Sequence, residues 1–318
     1  MIARRTRAAA FPFALAASLA VATALPETGW TLEQVESRLT SFTGIWGTSG
    51  EDVHAVGNRG MVLHFDGSRW TRAKSGTRQN LLAVWAASRT AAFAVGFDGV
   101  ILHFDGRGWE AAKSGTSKSL LAVWGASPSD VFSVGRDGTI LHFDGRSWTR
   151  QPSGTTADLT AVWGTGPADV HAAGIRGTLL HYDGTRWTQP VPSFGWHWTF
   201  TALGGTSPAN VYAAGWRRPS GELDAREGFV LRSDGETWSP ISGGETQFVE
   251  SLWAAAPDEV YLVGPALNGL PEVRRFDGQA FRVVDSESRF SPQAIWGAPT
   301  GEIFVAGTNG IVLTKRVR

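Results

Sequence analysis

The sequence has no cysteine, and it has only two methionines and three tyrosines among its 318 residues. Without cysteine the chain forms no disulfide, offers no thiolate nucleophile and lacks a lipobox for lipid attachment. Packing of its side chains must therefore supply its stability. The formal net charge is zero and no basic block is present, so nucleic acid is not an expected partner.

Several signatures of catalysis are also missing. The sequence contains no G-x-S-x-G, no H-E-x-x-H, no P-loop and no dinucleotide-binding fingerprint. The classes of enzyme that depend on these motifs therefore have no support in the sequence. We expect no bound cofactor and no catalytic residue.

The first residues have the pattern of a targeting segment. Three arginines within the first seven residues precede a run of Ala, Leu, Val and Phe, and Ala22-Thr23-Ala24 fits a small-x-small cleavage site. We interpret residues 1–24 as a signal peptide, which predicts a secreted or periplasmic protein with no membrane span after cleavage. A retained membrane anchor is the alternative, but the run is short and rich in Ala. The remaining residues 25–318 carry 26 Lys and Arg against 29 Asp and Glu.

Tryptophan and glycine are abundant, at 15 and 39 residues, and they mark an internal repeat. The motif V-W-G and its variants recur with the first four copies 39 residues apart, and a seventh copy has Gly204 in place of Trp. The six Trp of this motif are Trp46, Trp85, Trp124, Trp163, Trp253 and Trp296. Fixed periods near 40 residues are typical of propellers and other repeat folds.

Each repeat contains four short strand-like runs. In the third copy these are Leu120 to Trp124, Val131 to Val134, Thr139 to Phe143 and Ser147 to Thr149, separated by Gly- and Asp-rich turns. The pattern has no helical period, and four strands per repeat are typical of a propeller blade. We therefore predict an all-β, seven-bladed β-propeller with four-stranded antiparallel blades, formed as one domain by residues 25–318.

The two ends of the chain complement each other. The last repeat stops after its third strand at Gly310 to Arg318, whereas Gly29-Trp30-Thr31 is a spare fourth strand at the N-terminus. We expect the N-terminal strand to complete the last blade and close the ring, which leaves no open sheet edge.

The Trp-rich repeat resembles those of bacterial secreted propellers. The D-G-x-x-W segment looks like the Asp-box (BNR) motif S-x-D-x-G-x-x-W, with one residue fewer between Asp and Trp. The repeat is also similar in length and strand order to tectonin-type lectin repeats, although its Trp positions differ. This resemblance covers residues 25–318 and implies architecture rather than function.

Residues that occupy repeat positions are interpreted as structural. The four histidines of the third strand are too far apart to share a metal ion between blades, because packed sheets lie about 10 Å apart. We expect each to be hydrogen-bonded within its blade; they are His64, His103, His142 and His181. His54 and His171 share a slot with Phe and Tyr and are expected to pack between blades. The three tyrosines all occupy repeat positions, so a sialidase-type nucleophile is missing.

The repeat is broken in blades 5 and 6. The interval from the Trp position to the hairpin Asp is 20 residues in blades 1 to 4, 30 in blade 5 and 24 in blade 6. The crossover into blade 5 is longer by two residues. These insertions are expected as loops on one face, because the second loop of a blade and the following crossover emerge on the same side. The three Trp outside the repeat positions all lie in the blade 5 insertions.

We predict that this face binds a ligand, since aromatic faces with a few charges suit a sugar or an extended peptide. The candidate residues are Trp196, His197, Trp198, Trp216, Arg217, Arg218, Glu222, Asp224 and Arg226. One alternative is that Trp198 or Trp216 folds back into the space beside Gly204. A second is that the insertions are neutral loop growth.

Three functions remain open from the sequence. The first is an exported, monomeric, non-enzymatic binding module for a protein or glycan of the extracytoplasmic space. The second is a lectin. The third is a glycoside hydrolase or lyase whose carboxylates come from Glu222, Asp224, Glu227 or Glu272, a reaction that needs two acids at a suitable separation.

Overall fold

A computed structural model describes residues 22–24, 29–189, 194–219, 225–241, 246–285 and 290–316. In these residues, 29 strands form seven antiparallel sheets arranged as the blades of a propeller. The predicted seven-bladed architecture is confirmed. Within the same residues, no helix is long and apolar enough to cross a membrane.

The strands follow one another in order around the ring. Blade 1 contains β3 (Phe42–Ser49), β4 (Asp52–Gly57), β5 (Met61–Phe65) and β6 (Trp70–Arg72). Blade 2 contains β7 (Leu81–Ser88), β8 (Ala91–Gly96), β9 (Ile101–Phe104) and β10 (Trp109–Ala112). Blade 3 contains β11 (Leu120–Ser127), β12 (Asp130–Gly135), β13 (Ile140–Phe143) and β14 (Trp148–Gln151). Blade 4 contains β15 (Leu159–Gly166), β16 (Asp169–Gly174), β17 (Leu179–Tyr182) and β18 (Trp187–Thr188).

The remaining three blades have less regular strands. Blade 5 contains β19 (Trp198–Ser207), β20 (Asn210–Arg217), β21 (Glu227–Ser233) and β22 (Trp238–Pro240). Blade 6 contains β23 (Ser251–Ala256), β24 (Glu259–Pro265), β25 (Pro271–Phe276) and β26 (Phe281–Asp285). Blade 7 contains β27 (Pro292–Gly297), β28 (Ile303–Gly307), β29 (Ile311–Lys315) and the N-terminal β2 (Trp30–Gln34). One-turn 3-10 helices cover Asn58–Gly60, Phe97–Gly99, Arg136–Gly138 and Thr308–Gly310.

The N-terminal strand closes the ring as predicted. Strand β2 pairs antiparallel with β29, with Trp30 opposite Lys315. Outside it, β1 (Ala22–Ala24) adds a fifth strand to this sheet by pairing with β2. Cleavage after Ala24 stays a prediction and would leave blade 7 with four strands like the others. Most of the predicted signal peptide lies outside the described residues.

The turns of each blade follow from Asp and Gly. In blade 3 the Asp144 carboxylate accepts hydrogen bonds from the backbone N–H of Arg146 and Ser147, both at 2.9 Å. This Asp therefore forms the hairpin turn. In the preceding turn Gly138 has a φ of +63°, and a Cβ there would lie 2.0 Å from the carbonyl oxygen of Thr155. That position accepts only glycine.

Neighbouring blades are joined by a Trp packed on a Gly. The Trp85 ring lies against Gly125 of blade 3, so that a Cβ on this glycine would be 2.6 Å from the ring. The same contact joins Trp124 to Gly164, Trp163 to Gly205, Trp253 to Gly297 and Trp296 to Gly47. Where Gly204 interrupts the series, Leu252 of blade 6 fills the space, 2.7 Å from where a Cβ would stand. The space beside Gly204 is therefore occupied by blade 6 rather than by Trp198 or Trp216.

Candidate binding face on blades 5 and 6

The insertion in blade 5 lengthens strands as well as a loop. Strands β19, β20 and β21 have 10, 8 and 7 residues, compared with 8, 6 and 4 for their equivalents in blade 3. The additional pairs include Trp198 with Arg217 and Trp216 with Gly228. The expectation of a loop was wrong for this part, because the added backbone finds ladder partners on both sides.

The inserted segments of blades 5 and 6 lie next to one another. The backbone N–H of Arg218 donates to the carbonyl of His197 at 3.1 Å, which joins the two insertions of blade 5. The N–H of Gly228 donates to the carbonyl of Thr246 at 2.8 Å, and Thr246 pairs with Ala266 in the longer turn of blade 6. These contacts bring the described parts of the insertions next to one another.

The three additional tryptophans of blade 5, Trp196, Trp198 and Trp216, are not fully buried. Trp196 has 64% of its surface exposed, and its ring lies 3.8 Å from the ring of His197. Trp198 is half-buried against Phe194 and Phe229, with ring centroids 5.4 and 4.5 Å away. The structure therefore leaves aromatic surface accessible on this face.

A groove of about 450 Å³ lies beside Trp198 on this face. We call it the blade 5–6 groove, and its lining includes Trp198, Arg217, Glu227, Phe229, Ile241 and Leu267. Leu267 is 58% exposed and Leu270 is 57% exposed. The groove combines an apolar wall, which includes Leu267, with a charged edge at Arg217 and Glu227.

The charged edge of the groove is held in place by two interactions. The guanidinium of Arg217 lies 5.2 Å from the centre of the Trp198 ring, a cation–π contact. The same group forms an ion pair with Glu227, with Nε and one terminal nitrogen each 3.1 Å from Oε2. Arg217 and Glu227 are both about half exposed, so this edge presents one cation and one anion to solvent.

The other predicted residues form a separate cluster. Arg226 and Arg218 lie 4.5 and 5.7 Å from the Trp216 ring, and Arg226 also lies 5.8 Å from the ring of Phe248. Trp216 and Arg217 are consecutive on β20, and successive side chains on a strand point to opposite faces. The predicted residues that the structure describes are therefore divided among the groove, this cation–π cluster and the Trp196–His197 pair.

Two of the four candidate carboxylates take part in ion pairs. Glu227 is held by Arg217, and Glu272 is held by Arg274 at 2.8 Å. Glu222 and Asp224 lie outside the described residues. The sequence analysis did not identify Phe229, Ile241 and Leu267 as lining residues, because they occupy ordinary apolar positions of the repeat and of a turn.

The repeated histidines are hydrogen-bonded within their blades, as predicted, in three cases. His64, His142 and His181 contact Asp52, Asp130 and Asp169 on the neighbouring strand at 2.7, 2.6 and 2.7 Å. Blade 2 has Ala91 at the Asp position, and there His103 stacks on Phe93 with ring centroids 4.5 Å apart. Blades 5 and 6 replace the pair with Arg232–Asn210 and Arg275–Glu259.

The fold defines the chain as a seven-bladed β-propeller, and solved propellers are similar to it over nearly their whole length. YCF48 bound to a D1 peptide matches with a TM-score of 0.70 and 16% identity, covering 93% of this chain and 98% of that chain. YCF48 from Cyanidioschyzon merolae matches with a TM-score of 0.68 and 15% identity, covering 90% and 98%. The WD40 propeller domain of Doa1 matches with a TM-score of 0.71 and 13% identity, covering 89% and 96%.

These identities are low, so the likeness establishes the fold alone. No protein-family profile matches the sequence, and no curated protein is significantly similar to it.

Proposed function

We propose that this chain is an exported, non-enzymatic binding module that holds an extended segment of a partner protein in the blade 5–6 groove. The observation that carries the proposal is the groove itself, with its apolar wall at Leu267 and its charged edge at Arg217 and Glu227. An extended peptide presents alternate side chains to one surface, so it fits an apolar wall while its polar groups meet the charged edge.

The similar structures support a protein partner. One of them is a propeller of the same architecture bound to a peptide. Loops carry binding residues while a rigid scaffold positions them, which is consistent with the hydrogen-bonded contacts between the inserted segments of blades 5 and 6. Export is proposed from residues 1–24 alone, and we propose the extracytoplasmic space as the location of the partner.

A glycan is the second candidate ligand. Trp196 is 64% exposed and its ring is backed by His197, and flat aromatic faces of this kind suit the apolar side of a sugar ring. A multivalent lectin would repeat its binding residues in every blade, whereas this aromatic cluster occurs once. The proposal therefore gives the glycan a single site. An enzymatic role has less support, because Glu227 and Glu272 are each held in an ion pair.

A binding screen separates these ligands. The purified chain is screened against a displayed library of random peptides and against a glycan array. We expect the peptide library to be enriched in sequences with apolar residues near charged ones, and the glycan array to give no signal above background. Reproducible glycan binding with no peptide enrichment would replace the first candidate by the second.

Variants locate the site. Leu267→Asp places a charge on the apolar wall and should weaken peptide binding at least about tenfold, which corresponds to roughly 1.4 kcal/mol. Phe97→Ala is the matched control, because Phe97 is 38% exposed and lies on blade 2. Unaltered peptide affinity in Leu267→Asp, with unfolding temperatures equal to wild type, would show that the groove is not the site.

A further inference from the structure

Two blades carry a histidine in a slot that the other five fill with Phe or Tyr. Blade 1 contains the segment D-V-H followed ten residues later by His, and blade 4 contains the same segment with the same interval. The two sets are Asp52, His54 and His64 in blade 1, and Asp169, His171 and His181 in blade 4. Blade 3 has the equivalent Asp130 and His142, but its slot is Phe132.

Strand pairing brings each set to one place. Asp52 and His54 are two residues apart on β4 and so share a face, and His54 lies directly opposite His64 on β5. His64 Nε2 is 2.7 Å from Asp52 Oδ1, and the two imidazole rings have centroids 4.7 Å apart. The blade 1 set is largely buried, since His54 and Asp52 are each 1% exposed.

Blade 4 repeats this geometry with more exposure to solvent. The Nε2 atoms of His181 and His171 lie 2.7 and 3.5 Å from Asp169 Oδ1. The two imidazole rings have centroids 4.8 Å apart. In each set, one potential ligand atom from each residue lies within 4.8 Å of the others. The same arrangement of one aspartate and two histidines therefore occurs twice, in blades three repeats apart.

The slot histidines lack the hydrogen bonds that a buried imidazole needs. Among the described side chains, both ring nitrogens of His54 and Nδ1 of His171 are buried without a hydrogen-bond partner. An unsatisfied buried polar atom costs about 1–3 kcal/mol, and Phe or Tyr in the same slot avoids that cost. Both histidines nevertheless occur in blades that also have the Asp and the second His. The unpaired nitrogen therefore lies beside two other potential metal ligands.

We propose that blades 1 and 4 each bind one divalent transition-metal ion of the zinc class through these two histidines and one aspartate. Two imidazoles with a carboxylate are ligands that zinc prefers, whereas calcium and magnesium take oxygen ligands. Zinc bonds of about 2.0–2.2 Å require ligand atoms roughly 3–4 Å apart, and the potential ligand atoms of each set lie within 4.8 Å of one another.

The surroundings of each set suit this role. The second carboxylate oxygen of Asp52 accepts a hydrogen bond from the Thr48 hydroxyl, and that of Asp169 accepts one from Thr165. Such contacts orient a ligating carboxylate. The side chains of His64 and His181 are 35% and 29% exposed, so water can reach the remaining coordination position. Each ion would clamp the second strand of its blade to the third.

Zinc binding tests the proposal directly. The full chain, purified without a histidine tag and treated with chelator, is dialysed against zinc, and bound metal is measured by elemental analysis. We expect two zinc ions per chain, one after either His54→Phe or His171→Phe, and none after both substitutions. Phe is the residue that repeats 2, 3 and 7 carry in this slot, so these variants are compatible with the fold.

Two further variants make the result specific. His103→Gln alters the third-strand histidine of blade 2, where Ala91 replaces the Asp, and should leave the zinc content at two. Phe132→His completes the triad beside Asp130 and His142 and should raise it to three. Cobalt in place of zinc should give visible absorption that disappears in the double variant.

The outcomes decide between binding and adventitious uptake. Absence of bound zinc in the wild-type chain would overturn the proposal, and so would two ions retained by the double variant with its unfolding temperature unchanged. Loss of zinc on His103→Gln would also overturn it, because that side chain belongs to neither set.

Discussion

At the scale of single residues, Glu250 stands out in the axial channel. One residue from each blade lines one end of this channel, and these are Thr43, Leu82, Leu121, Thr160, Thr201, Glu250 and Gln293. Glu250 is the acid among them. Burial raises its pKa, and the nearby charge of Arg226 lowers it by a smaller amount. A carboxylate whose pKa is raised by folding favours the folded state only while it is protonated.

We predict that replacing the Glu250 carboxylate raises the stability of the fold in a pH-dependent way. The folded pKa of Glu250 lies above its unfolded value of 4.5. The contribution of this group to the free energy of unfolding is therefore fully present below pH 4.5 and is lost as the pH rises through the folded pKa. Glu250→Gln imitates the protonated group, so the variant should have a higher unfolding temperature than wild type at pH 8 and an equal one at pH 4. A variant that is less stable at pH 8 would show that attraction to Arg226 dominates.

At the scale of strands, the polar pair between the second and third strands of a blade varies in chemistry while its position stays constant. It is Asp–His in three blades, Asn–Arg in blade 5 and Glu–Arg in blade 6. Each version joins an acceptor at the start of one strand to a donor on the next. Blade 2 has kept the donor, His103, and lost the acceptor.

This comparison predicts opposite effects in two neighbouring blades. Asp130→Ala removes the acceptor of His142 and should lower the free energy of unfolding by about 1–2 kcal/mol. Ala91→Asp supplies an acceptor to His103 and should raise it by about 0.5–1 kcal/mol. Urea unfolding at neutral pH measures both. A destabilising Ala91→Asp would mean that the desolvation of the new carboxylate outweighs its hydrogen bond.

At the scale of the whole molecule, stability depends on a closed ring. The Trp–Gly contacts join one blade to the next, and β2 joins the first residues of the domain to the last strand. Trp30 is 2% exposed and packs in a cluster with residues of blades 6 and 7, including Tyr261, Val273 and Leu313. The closing strand is therefore part of the core and leaves no open edge on β29.

We predict that weakening this closure lowers the stability of the fold strongly. Trp30→Ala should lower the free energy of unfolding by about 3–5 kcal/mol, as expected for a buried large aromatic side chain. Deletion of residues 1–24 is the control, because it leaves β2 and the four-stranded blade 7 complete, and its unfolding midpoint in urea should equal that of the full chain. If Trp30→Ala were as stable as wild type, closure by β2 would not contribute to stability.

The pattern of the sequence predicts the repeated parts of the fold well. The blade count, the strand order within a blade and closure by Trp30 all follow from a period of 39 residues and a missing last strand. The interblade position of His54 and the hydrogen bond of His142 follow from comparing equivalent residues in different blades. These features repeat, so an ambiguous assignment in one blade can be decided by comparison with the equivalent residues of the other blades.

The candidate site was harder to predict because it does not repeat. The insertion of blade 5 was expected as a loop, whereas β20 extends through Trp216 to Arg217 and points these two side chains to opposite faces. Leu267 of blade 6 lines the groove together with Trp198 and Ile241 of blade 5. No local sequence pattern indicates that these residues meet. The pairing of His54 with His64 likewise depends on strand register.

The sequence by itself determined the architecture, because six of the seven blades are formed by four consecutive strands and the repeat pattern recurs seven times. Only the tertiary structure decided which side chains face one another across blades. That choice depends on the direction of each side chain on its strand and on which segments meet at the rim of the ring. Both are set by packing among distant parts of the chain, which gave this propeller its groove between blades 5 and 6.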